Sequence, residues 1–398
     1  MGRTLRKLCS NLLVQIAIAL IMGVVCGLSL PEWGVRCALT FNSLFSQFLV
    51  FFIPLLIIGL VTPGIADLGS DAGRMLLITL LLSYFFTILA GLGSFGLSIE
   101  ILPTFLGASS STISIGAAKS LSPYFTIEMP AFMNVMSALV FSLILGMGTA
   151  YTHARTLQFA INEFKVIVEK VIFHIIVPLL PLYIFGLFVS ITRGGQVSYI
   201  LKSFAGVTAL IIVFSLLLLV IQYGLAGMIA KRNPFTLFKE ILPALATAFG
   251  TQSSAATIPV TLECVRKMKV HEDVADFVVP MCATVQLAGA MVRLVTLAVA
   301  VAILYSLDVA MSNYITFIFM LSITAVAAPG VPGGVVMACI GLMQGTLGFN
   351  DDMIALMIAT SVATEGISTA TSVSGDGAVA VIINSIENRL ILKKEHKL

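Results

Sequence analysis

ATEGISTATSVSGDGAVAVIINSI, residues 363–386, is the stretch that decides the fold. Its polar side chains stand three, four, seven and eleven positions after the first of them, which places them on one helical face. They are Glu365, Ser368, Thr369, Ser372 and Asp376. Acidic groups at membrane depth are costly and normally face a cavity, a partner charge or an ion path. The stretch therefore predicts a polar site held in the middle of a membrane.

Composition places the whole chain in a membrane. Of 398 residues, 59% are hydrophobic and 10% are charged, whereas soluble domains carry roughly a quarter charged residues. We therefore predict a polytopic membrane protein with one membrane domain over residues 1–398. Basic residues recur in alternate loops, which predicts that both termini lie in the cytoplasm. A net charge of +3 spread over loops gives no nucleic-acid signal, and the scattered cysteines and histidines predict neither disulfides nor a metal site other than one for Na⁺.

The first half of the chain contains six apolar stretches that satisfy the requirement of roughly 20 residues for a membrane span. They are residues 11–30, 43–65, 75–101, 129–151, 166–192 and 199–230. The Ser/Gly-rich segment 103–127 is predicted to be an external excursion.

The second half repeats one layout twice. Residues 235–265 are apolar but broken by FGTQSSAAT, which predicts a re-entrant hairpin, and residues 274–306 then form an interrupted span. Residues 314–346 are broken by APGVPGG, and residues 351–388 form the last span. The charged loops give the two hairpins opposite orientations. This is an inverted repeat, and transporters built in this way bind substrate and ions at the broken helices.

The broken segments offer suitable chemistry. Free N–H groups at a half-helix N-terminus suit a carboxylate, and Ser253 and Ser254 add hydroxyl donors. Carbonyl oxygens freed at the breaks are hard ligands of the kind Na⁺ prefers, and Asp376 supplies negative charge.

Four motifs carry a resemblance to a known family. TQSSAATIPVT (251–261), ATVQLAGA (283–290), PGVPGG (329–334) and SVSGDGAVA (372–380) resemble, in order, motifs of the dicarboxylate/amino acid:cation symporters, the glutamate transporters and their bacterial homologues. The resemblance covers nearly the whole chain. It implies an all-α glutamate-transporter fold with eight transmembrane helices and two re-entrant hairpins, a homotrimer in a bacterial inner membrane, and an elevator motion. The scaffold would comprise about residues 1–70 and 128–195, and the transport domain about 71–102 and 196–390.

The resemblance also implies site residues. The implied cation ligands are Asp376, Gln286, Cys282, Thr284, Tyr84 and Thr87. The implied substrate site comprises Ser253, Ser254, Val331, Gly333, Glu365, Ser368, Thr369, Ser372 and Arg293. Ile88 and Ala288 replace a serine and an aspartate of the family's third sodium site. We therefore expect fewer coupled Na⁺ ions, or a proton in place of one.

The substrate class is predicted from the positions at which this chain differs from the family's substrate-binding residues. Ser368 stands where the family has the arginine that reads a side-chain carboxylate, and Gln252 replaces a second arginine. The resemblance therefore implies a small neutral amino acid similar to serine, threonine or alanine, carried with Na⁺. Arg293 leaves alternatives open: it pairs with Glu365, it extends towards the interface, or it reads an acidic amino acid or C4-dicarboxylate. Proton coupling through Glu365 also stays open.

Two other functional classes fit the sequence less well than a transporter. An ion channel would also use paired hairpins and an acidic lining, but the polar groups converge on one site rather than lining a pore. In an intramembrane enzyme, Glu365 and Asp376 would be about 16 Å apart along their helix, which is too far for an acid/base pair. The sequence therefore predicts a transporter and no enzyme.

Overall fold

A computed structural model describes residues 12–67, 74–106, 122–133, 135–152, 154–193, 197–326 and 334–395. All regular elements within these ranges are helices, so the predicted all-α class is confirmed. Val331 and Gly333, at the second hairpin tip, lie outside the described residues, as does the central part of the 103–127 segment.

The described part of the first half of the chain forms six α-helices and one π-helical turn. They are α1 (Leu12–Ser29), α2 (Glu32–Asp67), α3 (Arg74–Leu106), α4 (Val135–Thr152), α5 (Arg155–Val171) and α6 (Val177–Arg193). A π-helical turn, Ile172–Ile176, separates α5 from α6, and the two helices meet at 45°. A π-turn and the prolines that follow it disturb the regular hydrogen-bond ladder, which accounts for the bend.

The second half consists of a long helix, α7, then shorter and interrupted helices, and finally a second long helix, α15. They are α7 (Val197–Ala230), α8 (Pro234–Thr251), α9 (Ser254–Lys267), α10 (Glu272–Val285), α11 (Ala288–Leu304), α12 (Met311–Val326), α13 (Gly334–Leu347), α14 (Asp351–Ala363) and α15 (Glu365–Glu395). The predicted break in the first hairpin is present between α8 and α9. There Gln252 adopts a left-handed conformation with φ 54°, and Ser253 caps α9 by accepting a hydrogen bond from the Ala256 amide.

The last span differs from the sequence expectation. Residues 351–388 were predicted to form one helix, but the structure divides them at Thr364. The Thr364 amide and hydroxyl, together with the Arg293 guanidinium, all donate to the carbonyl oxygen of Ser361. These local and distant donors occupy a carbonyl oxygen that would otherwise continue the helical ladder, and the helix is interrupted at Thr364.

Helix α15 is the centre of the fold. It packs against α7, α8, α9, α10 and α11, and 94% of its most apolar stretch is buried, compared with 33% for α7. Four helical segments in the described ranges are long and apolar enough to cross a membrane, or five if the bent α5–α6 pair counts as one span. Since α15 is apolar yet surrounded by protein, its polar face meets other helices rather than lipid.

Candidate functional site

A cavity of about 160 Å³ lies where the first hairpin tip, the α10–α11 break and the polar face of α15 meet. Five of the predicted substrate residues line it: Ser254, Glu365, Ser368, Thr369 and Ser372. Gln252 and Thr284 add polar groups, and Ala290, Ala325 and Val335 contribute to an apolar wall. The sequence prediction of a polar site at the broken helices therefore coincides with the cavity.

The hydroxyl groups of the cavity wall have defined roles. Ser368 Oγ and Thr369 Oγ1 both donate to the carbonyl oxygen of Glu365, at 2.9 and 3.0 Å. Ser372 Oγ accepts from the Gly289 amide at 3.1 Å. Because the first two hydroxyl protons are used within α15, their oxygen lone pairs remain as acceptors. Beside the Glu365 carboxylate, this wall suits a ligand that brings N–H or O–H donors.

Arg293 lies behind this wall rather than in it. Its guanidinium donates through one nitrogen to the Glu365 carboxylate and to the Ser361 carbonyl. Arg293 is fully buried and Glu365 is 5% exposed. Of the alternatives for Arg293, the structure shows the pairing with Glu365. Ser361 was not among the predicted site residues, because it contributes only a backbone oxygen.

The ion pair spans the break between two helices. Ser361 lies in the last turn of α14, where backbone carbonyls carry partial negative charge, and Glu365 begins α15, where amides carry partial positive charge. The Arg293 cation therefore faces a helix C-terminus, and the Glu365 anion lies at a helix N-terminus. Both placements stabilise the charges and fix α11 against the break.

Asp376 lies three turns further along α15 in a second polar cluster. The hydrogen-bond network orients the Gln286 amide: its nitrogen donates to Asp376 Oδ1 at 3.2 Å and to the Ser372 carbonyl at 3.0 Å. Its oxygen accepts from Gln222 Nε2 at 3.0 Å. Gln222 is fully buried and was missed at the sequence level, although a lone glutamine in the apolar run LLLLVIQYG was an available signal. The structure thus brings Gln286 to Asp376, as the resemblance implied.

The other predicted cation ligands lie on nearby helices. Thr87 Oγ1 donates to the Ser83 carbonyl, and Thr284 Oγ1 donates to the Met281 carbonyl, each at 2.8 Å. Cys282 Sγ is 3.6 Å from Ser83 Oγ, and Tyr84 is half-buried on α3. Within the described ranges, no hydrogen bond joins these four side chains to Asp376.

Ser253, Ile88 and Ala288 lie at predicted site positions but offer the cavity no side-chain ligand. Ser253 caps α9 and does not line the cavity, so Ser254 is the serine of this tip that faces it. Ala288 is buried and Ile88 is half-buried. Neither offers an oxygen ligand from its side chain.

Gly289 allows α11 and α15 to approach closely at the cavity. A Cβ at this position would lie 2.1 Å from the Ser368 carbonyl oxygen and 2.9 Å from Thr371 Cβ. We expect Gly289→Ala to lower the free energy of unfolding by about 1–3 kcal/mol, as overpacking does. Thermal unfolding of the purified protein measures this.

Gly345→Ala is the matched control, because a Cβ at Gly345 on helix α13 meets nothing within 4 Å. That variant should be at least as stable as the wild type, since alanine is the better helix former. Equal stability of the two variants would show that the α11–α15 contact is not tight.

Comparison with known proteins gives one family. A sequence model of the Sodium:dicarboxylate symporter family matches residues 12–386. The serine/threonine transporter SstT of Streptococcus suis is 28% identical over 339 residues, which cover 81% of this chain and 92% of that protein. The serine/threonine transporter SstT of Acinetobacter baylyi is 27% identical over 338 residues, covering 81% and 84%.

Proposed function

Since the chain belongs to the sodium:dicarboxylate symporter family, and is a transporter rather than an enzyme, we propose that it carries a small neutral amino acid across the membrane together with Na⁺. Serine, threonine and alanine are the proposed substrates. The names of the two similar transporters support this choice, because both describe serine and threonine as the cargo.

The observation that carries the proposal is the set of side chains that line the cavity. Among the described lining residues there is no lysine or arginine. The motif resemblance places Ser368 where the family has its carboxylate-reading arginine. The volume of about 160 Å³ is below the roughly 300–1,000 Å³ of pockets for drug-sized ligands. A small zwitterion whose side chain is short and uncharged fits these properties. A second carboxylate would meet Glu365 without a cation facing it.

The proposed roles follow from the positions of the charges. The ammonium group of the substrate lies against Glu365 and the hydroxyl oxygens of Ser368 and Thr369. Its carboxylate lies at the helix ends of the hairpin tips, near Ser254. Na⁺ binds at Asp376, with Gln286 and backbone oxygens of the α10–α11 break nearby. Cys282, Thr284, Tyr84 and Thr87 complete the proposed cation region.

The proposed architecture comprises eight transmembrane helices, two re-entrant hairpins and a homotrimer in a bacterial inner membrane, with both termini in the cytoplasm. The packing supports a division into scaffold and transport domains. Helix α1 packs on α6, and α2 packs on α4, α5 and α6, whereas α15 packs on α7 to α11. An elevator motion of the α15 group past the α2 group is the proposed mechanism.

Uptake by purified protein in liposomes tests the proposal. Radiolabelled serine, threonine, alanine, aspartate and succinate are supplied with an inward Na⁺ gradient, an inward proton gradient, or neither. We expect serine to accumulate above its external concentration only with the Na⁺ gradient. Accumulation of aspartate or succinate instead would overturn the substrate assignment, and accumulation driven by the proton gradient alone would overturn the ion assignment. Serine flux that never exceeds equilibration would indicate a channel.

A further inference from the structure

Three charged side chains are buried within the described part of the chain: Arg293, Glu365 and Asp376. They are 0%, 5% and 1% exposed, respectively. Their formal charges add to −1. Buried net charge is expensive, so an occupied site is most stable when bound ions bring this sum to zero. A neutral zwitterionic substrate leaves the sum unchanged, and a single monovalent cation cancels it.

The pair between Arg293 and Glu365 is not explained by stability alone. Replacing a buried ion pair by apolar side chains of similar size is often neutral or stabilising. Two nitrogens of Arg293, Nε and Nη2, have no hydrogen-bond partner among the described residues, so the guanidinium is desolvated without full compensation. A neutral donor could bond to the Ser361 carbonyl equally well. The positive charge itself is therefore the property that needs an explanation.

Resting on the function proposed above, we infer that Arg293 is a fixed internal cation that takes the place of a transported one. By neutralising Glu365 from behind the cavity wall, it reduces the number of cations that must accompany each substrate to one. Arg293 is thus a positioning and charge-setting residue that does not touch the substrate. Because it stays with the protein in every step, its charge is never released with the cargo.

Arg293 as a fixed cation predicts the number of bound cations for three variants. Removing the charge in Arg293→Gln leaves the buried groups at −2, so one additional cation, either Na⁺ or a proton, should bind. Neutralising both partners in Arg293→Gln/Glu365→Gln returns the sum to −1 and the count to one. Arg293→Lys keeps the positive charge but loses the forked geometry, and should also bind one cation.

The count can be measured without transport. A ligand that binds only the folded state stabilises it by RT ln(1 + [L]/Kd), so at high Na⁺ the slope of stability against ln[Na⁺] gives the number of ions bound. Melting of the purified full-length protein is followed from low to high Na⁺, with choline keeping ionic strength constant. Serine is left out, because a zwitterion does not change the charge sum and because Glu365 is also the proposed partner of its ammonium group. Proton uptake on Na⁺ addition is followed with a pH indicator in weak buffer.

We expect the number of Na⁺ ions and protons bound per protein molecule to total about one for the wild type and about two for Arg293→Gln. The total should be about one for the double variant and for Arg293→Lys. A wild-type sum of two or three would overturn the inference, as would an Arg293→Gln sum equal to that of the wild type. If Arg293→Gln does not fold, the inference rests on the other three proteins, and a double-variant sum different from one overturns it. Na⁺-driven serine uptake with the wrong sums refutes only the role of Arg293, whereas absence of both uptake and any Na⁺ response refutes the proposed function.

Discussion

Na⁺-driven serine uptake should fall to background in Asp376→Asn. Asp376 is 1% exposed and lies beside the Gln286 amide nitrogen at 3.2 Å. The substitution keeps the shape of the side chain but removes the negative charge that would balance a bound cation. It can also place an amide nitrogen towards Gln286, where a carboxylate oxygen accepted a hydrogen bond. Without the carboxylate, the cost of removing Na⁺ from water is no longer offset at this site, so coupling of serine uptake to Na⁺ should be lost. Initial rates of radiolabelled serine uptake in proteoliposomes measure the effect.

Asp308→Asn is the matched control for this variant. Asp308 is an exposed carboxylate in the connection after α11, so the same chemical change should leave uptake at the wild-type rate. Thermal unfolding without Na⁺ separates a lost ion site from a lost fold: Asp376→Asn should unfold cooperatively but should gain little stability when Na⁺ is added. Wild-type uptake by Asp376→Asn would place the cation elsewhere.

The polar stripe could be predicted from sequence because its information is local. Helical periodicity alone places Glu365, Ser368 and Ser372 on one face, and the structure shows all three at the cavity. The break at the first hairpin tip is equally local, since FGTQSSAAT contains the residues that end α8 and cap α9. Val331 and Gly333 remain predictions, because they lie outside the described residues.

The features that were not predicted depend on distant contacts. The break at Thr364 involves the Arg293 guanidinium, which lies 68 positions from Ser361 along the chain. The segment ATSVATEG, residues 359–366, contains no motif that predicts a contact between one of its carbonyl oxygens and an arginine from another helix. The contact of Gln222 with Gln286 also joins separate helices, α7 and the α10–α11 break. Sequence periodicity identifies which face a side chain occupies, but not which partner from another helix meets it.

The sequence-level alternatives for Arg293 illustrate the same limit. A cation at membrane depth needs a counter-charge, and Glu365 was one candidate for Arg293. Whether the arginine would face the cavity or lie behind it depends on the rotation of α11, which packs against α3 and α15 at once. A helix with apolar residues on all faces carries no periodic signal that fixes this rotation.

Glu365→Ala should be the most destabilising single substitution at the site. It leaves the Arg293 guanidinium fully buried without its counter-charge, and removing one partner of a buried pair costs about 3–5 kcal/mol. Unfolding of the purified protein by heat or denaturing detergent measures the change. The double variant Arg293→Met/Glu365→Leu should recover most of the loss, because neither buried charge remains and the side chains still fill the space.

Glu272→Ala supplies the comparison for an exposed ion pair, in which Arg266 also keeps Asp276 as a partner at 2.9 Å. Glu272 also pairs with an arginine, Arg266, at 3.2 Å, but the two side chains are 73% and 46% exposed. Water and salt screen such a pair, so its removal should leave unfolding nearly unchanged. Equal effects of Glu365→Ala and Glu272→Ala would contradict the buried ion pair. A double variant no more stable than Glu365→Ala would instead show that the charges themselves, and not only their mutual compensation, hold α11 against the break between α14 and α15.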